Sequence, residues 1–355
     1  MRNFISTRSF AAATVMLSLA AITGCRSSGP ENVQISGAGS TFVYPVMTRW
    51  IQDFSKAHSN VQVNYQSIGS GGGIQQVRAG TVDFGASDAP LTDEQLREMK
   101  PVIQIPESAG PVCITYNLPN LKQPLQLSPD ALAGIFLGNI KTWQDSAIAK
   151  DNPGVTLPNT PVVVSHRAEG SGTTNIFTTY LAAISQEWQA KVGKGNSVNW
   201  PVGLGGKGSE GVTGNIRNSP GAIGYVELTY AQQNHLPVAK IKNQAGQYIA
   251  ATAQATTAAI NAFSGQLSQD PRLPIVNPPA SAADAYPISG LTFLIIPKDG
   301  PGKAKRAALK NFVQYIITDG QATAGSLNYA PLPDGVKQFD QQQLQQLTAD
   351  GQALQ

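Results

Sequence analysis

Short aliphatic runs alternate with amphipathic segments along this chain, and that alternation constrains its fold more than any other feature. Strands are predicted at Val33–Ile35, Val61–Tyr65 and Val82–Ala86, and helices at Val43–Ala57 and Gly72–Ala79. The first helix has its apolar residues on one face, as a helix packed on a sheet requires. This strand–helix–strand order favours an α/β fold with a mostly parallel sheet covered by helices.

The same alternation continues through the rest of the chain. It predicts a helix over Pro129–Phe136, a strand at Pro161–Val164, a helix from Thr174 and a strand over Ile223–Val226. A last helix is predicted over Lys303–Ile317, with Gly320 as its C-cap because glycine commonly ends helices.

Residues 1–24 have the composition of an export signal. Arg2 and Arg8 precede the apolar stretch Phe10–Ile22, and the segment ends in Ile22-Thr23-Gly24-Cys25. That ending resembles the lipobox of bacterial lipoproteins and predicts lipidation of Cys25, a membrane anchor and a polar tether over 25–32. An ordinary signal or a single membrane anchor is the alternative, but the apolar stretch is shorter than the roughly 20 residues a spanning helix needs.

The mature chain is long enough for two lobes. Removing 24 residues from 355 leaves 331, more than one small core usually serves. Pro106–Pro111 and Pro278–Pro287 are candidate crossovers between lobes. With hinge strands there, the expected parts are lobe I over 33–107 plus 288–340, lobe II over 111–284, and a Gln-rich tail over 341–355.

Composition excludes several classes of function. The chain has 25 basic and 22 acidic residues, so it lacks the basic excess that nucleic-acid binding requires. The three histidines (His58, His166 and His235) have no metal-ligand spacing, and no metal or other cofactor is expected. Cys113 lies in an alternating, strand-like run and is predicted to be a buried thiol.

Three glycine-bearing loops, each between a predicted strand and a predicted helix, indicate an anion-binding site. They are Gly37–Phe42, Ile68–Gly73 and His166–Thr174. Each places hydroxyl groups and free backbone N–H groups at a helix N-terminus, where negative charge is favoured. Arg167 can add a two-pronged contact to a tetrahedral oxyanion. Asp88, after the third strand, faces the crevice where open α/β sheets bind ligands.

Nucleotide and hydrolase motifs are not complete. Phe42 stands where the dinucleotide fingerprint needs a third small residue, and Gly208 stands at the Ser/Thr position of a phosphate loop. Neither Ser70 nor Ser171 has the upstream glycine of a nucleophile elbow. A secreted phosphatase or phosphoryl-transfer enzyme would need a nucleophile or a metal cluster. That enzyme is the alternative to a binding protein.

Six separated motifs resemble those of one family. They are Ser36–Phe42, Asn64–Gln66, Val82–Pro90, Gly203–Gly208, Pro220–Glu227 and Tyr329–Pro333. In this order they are similar to the phosphate-binding proteins of bacterial phosphate-specific ABC importers, the PstS family. The resemblance implies a non-enzymatic, type II periplasmic-binding-protein fold with two hinged lobes, acting as an exported monomer. It also implies inorganic phosphate as ligand, and permease and ATPase subunits as partners.

The resemblance carries the ligand contacts to particular residues. They are Thr41, Phe42 (through its backbone N–H), Ser70, Asp88, Arg167, Ser171, Gly172 and Thr173. The acid that orients the arginine is usually aspartate in the family, whereas Glu169 stands here and is a methylene longer. His166 replaces what is often a second basic residue and is interpreted as a strand-end residue rather than a ligand.

Asp88 is predicted to discriminate phosphate from sulfate. An ionised carboxylate only accepts hydrogen bonds, and phosphate offers it an O–H whereas sulfate does not. Arg167–Thr173 is expected on the lobe opposite Thr41, Ser70 and Asp88, so the bound anion would hold the lobes closed. A sensor or adhesin that binds phosphate without feeding an importer remains a further alternative.

Overall fold

The computed structural model describes residues 32–354. The predicted signal segment, the lipidation site Cys25 and most of the predicted tether lie outside the described residues. No helix among residues 32–354 is long and apolar enough to cross a membrane.

Strands and helices alternate through most of the described chain. The strands are β1 (Val33–Gly39), β2 (Val61–Ser67), β3 (Phe84–Ser87), β4 (Val102–Tyr116), β5 (Gln126–Leu127), β6 (Val163–Arg167), β7 (Leu204–Gly206), β8 (Ala222–Glu227), β9 (Lys240–Lys242), β10 (Tyr248–Ile249), β11 (Ser289–Pro297), β12 (Thr348–Ala349) and β13 (Gln352–Ala353). The helices are α1 (Tyr44–Ala57), α2 (Ser70–Ala79), α3 (Asp93–Arg97), α4 (Pro129–Leu137), α5 (Ser146–Asp151), α6 (Gly172–Ile184), α7 (Gln186–Lys191), α8 (Gly208–Asn218), α9 (Leu228–Gln233), α10 (Ala253–Ala262), α11 (Ser264–Leu267), α12 (Lys303–Ile317), α13 (Gly320–Ser326) and α14 (Asp334–Leu344).

Eight strands form one sheet in the order β2-β1-β3-β11-β4-β8-β6-β7. Parallel pairs lie toward both ends of this sheet, while β11 pairs antiparallel with β3 and β4, and β4 pairs antiparallel with β8. The prediction of a mostly parallel sheet is therefore wrong in its centre, where the sheet is mixed. The cause is topological, because β11 returns from a late part of the chain to pair between two early strands.

The long strand β4 joins the two halves of the sheet. It pairs with β11 on one side through its first part and with β8 through its last part. Pro106–Pro111, predicted as a crossover, lies inside β4 and is itself strand. The register of β4 with β11 shifts between Thr292 and Phe293, which pair with Ser108 and Pro106, so Glu107 is the extra residue of a β-bulge.

The amphipathic pattern of α1 is realised in its packing. Val46, Met47, Trp50 and Phe54 are buried on one face of this helix. Trp50 also donates its indole N–H to the Gly320 carbonyl at 2.7 Å. The prediction that Gly320 caps α12 is wrong, because Thr318 is the C-cap and Gly320 begins α13.

The C-terminal residues pack on the fold. The segment 341–355 is expected as a tail, but its described residues 341–354 continue α14 to Leu344 and then form the small hairpin of β12 and β13. Leu344, Leu347 and Leu354 are buried in the main core. The leucines spaced along this Gln-rich segment therefore hold it against the core of the protein.

Candidate functional site

The three glycine-bearing loops converge at one place, at the carboxyl ends of β1, β2 and β6, where Asp88 after β3 joins them. Every residue predicted from the family resemblance to contact the anion is buried there. These residues are Thr41, Phe42, Ser70, Asp88, Arg167, Ser171, Gly172 and Thr173. They come from two halves of the sheet, since the first four follow β1, β2 and β3 and the others follow from β6 into α6.

Asp88 is the centre of a hydroxyl network. One carboxylate oxygen accepts hydrogen bonds from the Ser40 hydroxyl and, at 3.3 Å, from the Thr292 hydroxyl. The other accepts from the Thr173 hydroxyl at 2.9 Å, and the Asp88 backbone N–H donates to Ser70 Oγ at 3.3 Å. Burial raises the pKa of Asp88, while the three hydroxyl donors and the nearby Arg167 charge oppose that rise.

Arg167 is held by Glu169. Its Nε donates to Glu169 Oε1 at 2.8 Å, and its Nη2 contacts the same oxygen. Its Nη1 lies 3.4 Å from the Thr173 hydroxyl. Glu169 Oε2 is buried without a hydrogen-bond partner among residues 32–354. Glu169 thus pairs with the arginine through one oxygen rather than by a two-oxygen fork, which the extra methylene makes feasible.

Loops from the two halves of the sheet touch each other across the site. The Gly71 N–H donates to the Gly170 carbonyl at 2.9 Å. The Thr41 and Ser209 hydroxyls lie 2.9 Å apart. A Cβ added to Gly172 would lie 2.7 Å from the Asp88 Cα, so only glycine permits this close approach. The groups predicted to bind the anion therefore face one shared, water-excluded region.

The N-termini of α2 and α6 point N–H groups into this region. In α6, the Ser171 side chain caps the helix by accepting from the Thr174 N–H at 3.2 Å. The Arg167 backbone N–H donates to the Tyr225 hydroxyl at 3.2 Å, which fixes the end of β6 beside the cap. The remaining first-turn N–H groups of α6 can serve a bound oxyanion.

Several residues at the site carried too little sequence signal to be assigned a role. Ser40, Glu107, Ser209, Tyr230 and Thr292 all contact the predicted ligand residues or their partners. Thr292 was detectable as the polar residue within the apolar run Leu291–Ile296, and Glu107 as a lone acid in a buried strand. The Gly203–Gly208 motif, which matched the family but had no role, brings the α8 N-terminus to Thr41 and Glu169.

The remaining sequence predictions concern groups beside the site. His166 lies within β6 and stacks on Trp200, with ring centroids 4.8 Å apart, while its Nδ1 contacts the Arg167 carbonyl. Cys113 is a buried free thiol, as predicted. In the part of the chain that the structure describes, no group of three or more His, Cys, Asp or Glu side chains is arranged to hold a metal ion.

Comparison with known proteins gives the class of protein first. The model of the PBP superfamily domain matches residues 26–320, so the chain has a periplasmic-binding-protein fold with mixed sheets flanked by helices. The solved structure of a phosphate-binding protein from Stenotrophomonas maltophilia has a TM-score of 0.66 at 18% identity, covering 86% of this chain and 92% of that one. That likeness supports the fold.

Curated relatives give the particular family. The chain is 43% identical to the phosphate-binding protein PstS of Xylella fastidiosa over 312 residues, covering 87% of this chain and 85% of the relative. It is 40% identical to PstS of Pasteurella multocida, covering 90% and 93%. The chain belongs to the PstS phosphate-binding protein family, which confirms the resemblance seen in the sequence.

Proposed function

We propose that this protein captures inorganic phosphate between two lobes and delivers it to a phosphate ABC importer. One observation carries the proposal: the buried acceptor Asp88 stands among hydroxyl, guanidinium and helix N-terminal donors. This donor set suits a tetrahedral oxyanion, and the single acceptor suits an oxyanion that retains a proton. The family is one of binding proteins, so the alternative of a phosphatase is not adopted.

The proposed ligand contacts divide by chemistry. Hydroxyl groups come from Thr41, Ser70, Ser171 and Thr173, and the positive charge comes from Arg167. The Phe42 and Gly172 backbone N–H groups would add donors without adding charge. Arg167 and Glu169 belong to the same proposed lobe, so their hydrogen bond can persist when the lobes open and little side-chain entropy is lost when the anion binds.

The lobes we propose are 33–107 with 288–340, and 111–284, joined in a type II arrangement. Support comes from β4, which pairs with β11 along its first part and with β8 along its last part. The Gly71–Gly170, Thr41–Ser209 and Thr173–Asp88 contacts all cross between these lobes. These contacts support a closed arrangement of the proposed lobes, and opening would break their hydrogen bonds.

Export and anchoring complete the proposal. The family resemblance supports a periplasmic location and docking of the closed form on permease subunits. An ATPase subunit would drive transport through that permease. Lipidation of Cys25, a monomeric state and the tether over 25–32 are proposed from the sequence alone. Mass spectrometry of the protein from membranes tests the anchor, because lipid on Cys25 with residues 1–24 removed is the expected result.

Isothermal titration tests the binding function directly. The protein, stripped of endogenous anion by partial unfolding and dialysis, is titrated with phosphate, arsenate and sulfate at pH 7. Tight one-to-one binding of phosphate with much weaker binding of sulfate is expected. Absence of phosphate binding by the refolded wild type would overturn the proposed function. p-Nitrophenyl phosphate, incubated with and without divalent metal, should show no turnover.

A further inference from the structure

The bulge in β4 places a buried acid beneath the proposed anion site. Glu107 is fully buried. It is the extra residue of the bulge and has no paired residue in β11, but its side chain contacts Thr292 of that strand. Its Oε1 lies 3.2 Å from the Thr292 hydroxyl oxygen. The same hydroxyl oxygen lies 3.3 Å from Asp88 Oδ1. One threonine hydroxyl therefore links the two carboxyl groups.

This link cannot be satisfied if both carboxyl groups are ionised. A hydroxyl group has one proton, so Thr292 donates to one carboxylate and then faces the other with a lone pair. The arrangement is satisfied when one carboxyl group carries a proton. That acid donates to Thr292, and Thr292 donates to the ionised partner.

The surroundings decide which carboxyl group carries the proton. Asp88 accepts from Ser40 and Thr173 and lies near the positive charge of Arg167. Glu107 has only Thr292 as a side-chain partner, and its Oε2 is buried without one among residues 32–354. An unpaired buried carboxylate is far more costly than a neutral acid.

The other groups facing Glu107 favour the same assignment. Asp88 adds negative charge, and Tyr65 of β2 is a neutral phenol whose own pKa is raised well above its usual value by burial. From α13, the side-chain amide of Gln321 donates to the Glu107 backbone carbonyl at 2.9 Å and not to its carboxyl group. Burial raises the pKa of Glu107 to about 8, although the hydrogen bond from Thr292 acts in the opposite direction.

We propose that Glu107 is a neutral carboxylic acid which, through the Thr292 hydroxyl, holds Asp88 as an ionised acceptor for the protonated oxyanion. This role rests on the proposed phosphate-binding function. Glu107 is a positioning residue, because it reaches the ligand only through Thr292 and Asp88. Ser40 and Thr292 donate to one oxygen of Asp88. The other oxygen accepts only from Thr173 among these hydroxyl groups, so it keeps a lone pair for the proton of the ligand.

The proposal predicts a specific pH dependence. When Glu107 loses its proton, a second negative charge appears close to Asp88 and the bound anion, and Thr292 loses its donor. Phosphate affinity then falls as the pH rises through about 8. At pH 9.5, which is about 1.5 units higher, the extra loss for the wild type should approach about thirtyfold. Ionisation of phosphate itself affects every variant equally and cancels in the comparison.

Glu107→Gln is the decisive variant. The amide has the same shape, donates to Thr292 and stays neutral at every pH. It should bind phosphate at pH 7 within about threefold of the wild type and lack the extra loss of about thirtyfold at pH 9.5, measured by titration calorimetry at both pH values. Thr292→Val should weaken phosphate binding about tenfold at pH 7, because Asp88 loses a donor, and Thr292→Ser should restore it.

Glu227→Gln is the matched control. Glu227 is also fully buried, and burial also raises its pKa to about 8, but its carboxylate caps α9 by accepting from the Thr229 N–H at 2.9 Å. This variant should keep the pH profile of the wild type. Circular dichroism and urea unfolding of each variant establish that it is folded under the titration conditions.

The outcomes separate this proposal from the proposed function. If the wild type does not bind phosphate at pH 7, the function itself fails. If the wild type binds and Glu107→Gln shows the same fall at high pH, or loses binding at pH 7 while folded, the neutral-acid role is overturned. A second measurement does not depend on that variant. In Glu227→Gln labelled with 13C at glutamate carboxyl groups, one resonance should titrate near pH 8, and its absence also refutes the proposal.

Discussion

Replacing Asp88 with asparagine tests most directly how the site chooses its anion. In the wild type the buried carboxylate is an acceptor only, with three hydroxyl groups already donating to it. A fully ionised sulfate would turn a lone pair toward this charge. Asp88→Asn replaces one acceptor oxygen by an N–H donor of the same size, which can face an unprotonated oxygen.

The magnitude follows from the burial of the group. Asp88 is 3% exposed, so water cannot relieve the contact between a carboxylate and an unprotonated oxygen. Leaving such a buried charge without its hydrogen bond costs about 4 kcal/mol, which is about 10³-fold in affinity. Asp88→Asn should remove most of that difference and bring the phosphate-to-sulfate affinity ratio to within about tenfold.

Calorimetric titration of both anions at pH 7 measures the ratio. Asp83→Asn is the matched control, because Asp83 bonds to Ser36 at 2.8 Å and pairs with Lys305, outside the site. That variant should lose some stability and keep the selectivity of the wild type. An unchanged ratio of phosphate to sulfate affinity in folded Asp88→Asn would refute this reasoning, because another group would then be recognising the proton of phosphate.

The remaining predictions concern phosphate affinity, the rate of phosphate release and the stability of the fold. Glu169→Gln should weaken phosphate binding about tenfold in calorimetry, because Arg167 loses its ionic partner; unchanged affinity would contradict this. Ser209→Ala removes the Thr41 contact across the lobes and should speed phosphate release several-fold in stopped-flow measurements, with an unchanged rate as the contrary result. The folded-state pKa of Glu227 is about 8 against an ordinary 4.5, so the free energy of unfolding should fall as the pH rises between these values. Glu227→Gln should lessen that fall by a few kcal/mol, measured by urea unfolding at pH 5 and 8.5. An equal fall in the variant and the wild type would count against this.

Much of the local structure could be predicted because its causes are local. The periodic apolar face of α1 and the full extent of α12 follow from residues within each segment. The glycine-bearing loops before α2 and α6 likewise predict the N-termini of these helices. Gly320 was misassigned because its place depends on Trp50, which is distant in sequence and contacts the start of α13.

Long-range pairing is what sequence patterns did not reveal. Thr292 and Glu107 are separated by 185 residues, and they meet because β11 inserts between β3 and β4. Nothing near either residue indicates that partner. The antiparallel centre of the sheet has the same origin, since a buried run of apolar residues is compatible with either strand direction.

Residue patterns alone were enough to predict the family, the alternation of strands and helices, and Thr41, Asp88 and Arg167 as candidate anion contacts. These depend on residue types at short spacing, which the folded chain presents as local motifs. The tertiary structure decided which buried polar groups share the site. A single extra residue in β4 directs Glu107 toward Thr292, because an insertion of one residue in a strand reverses the face to which a side chain points.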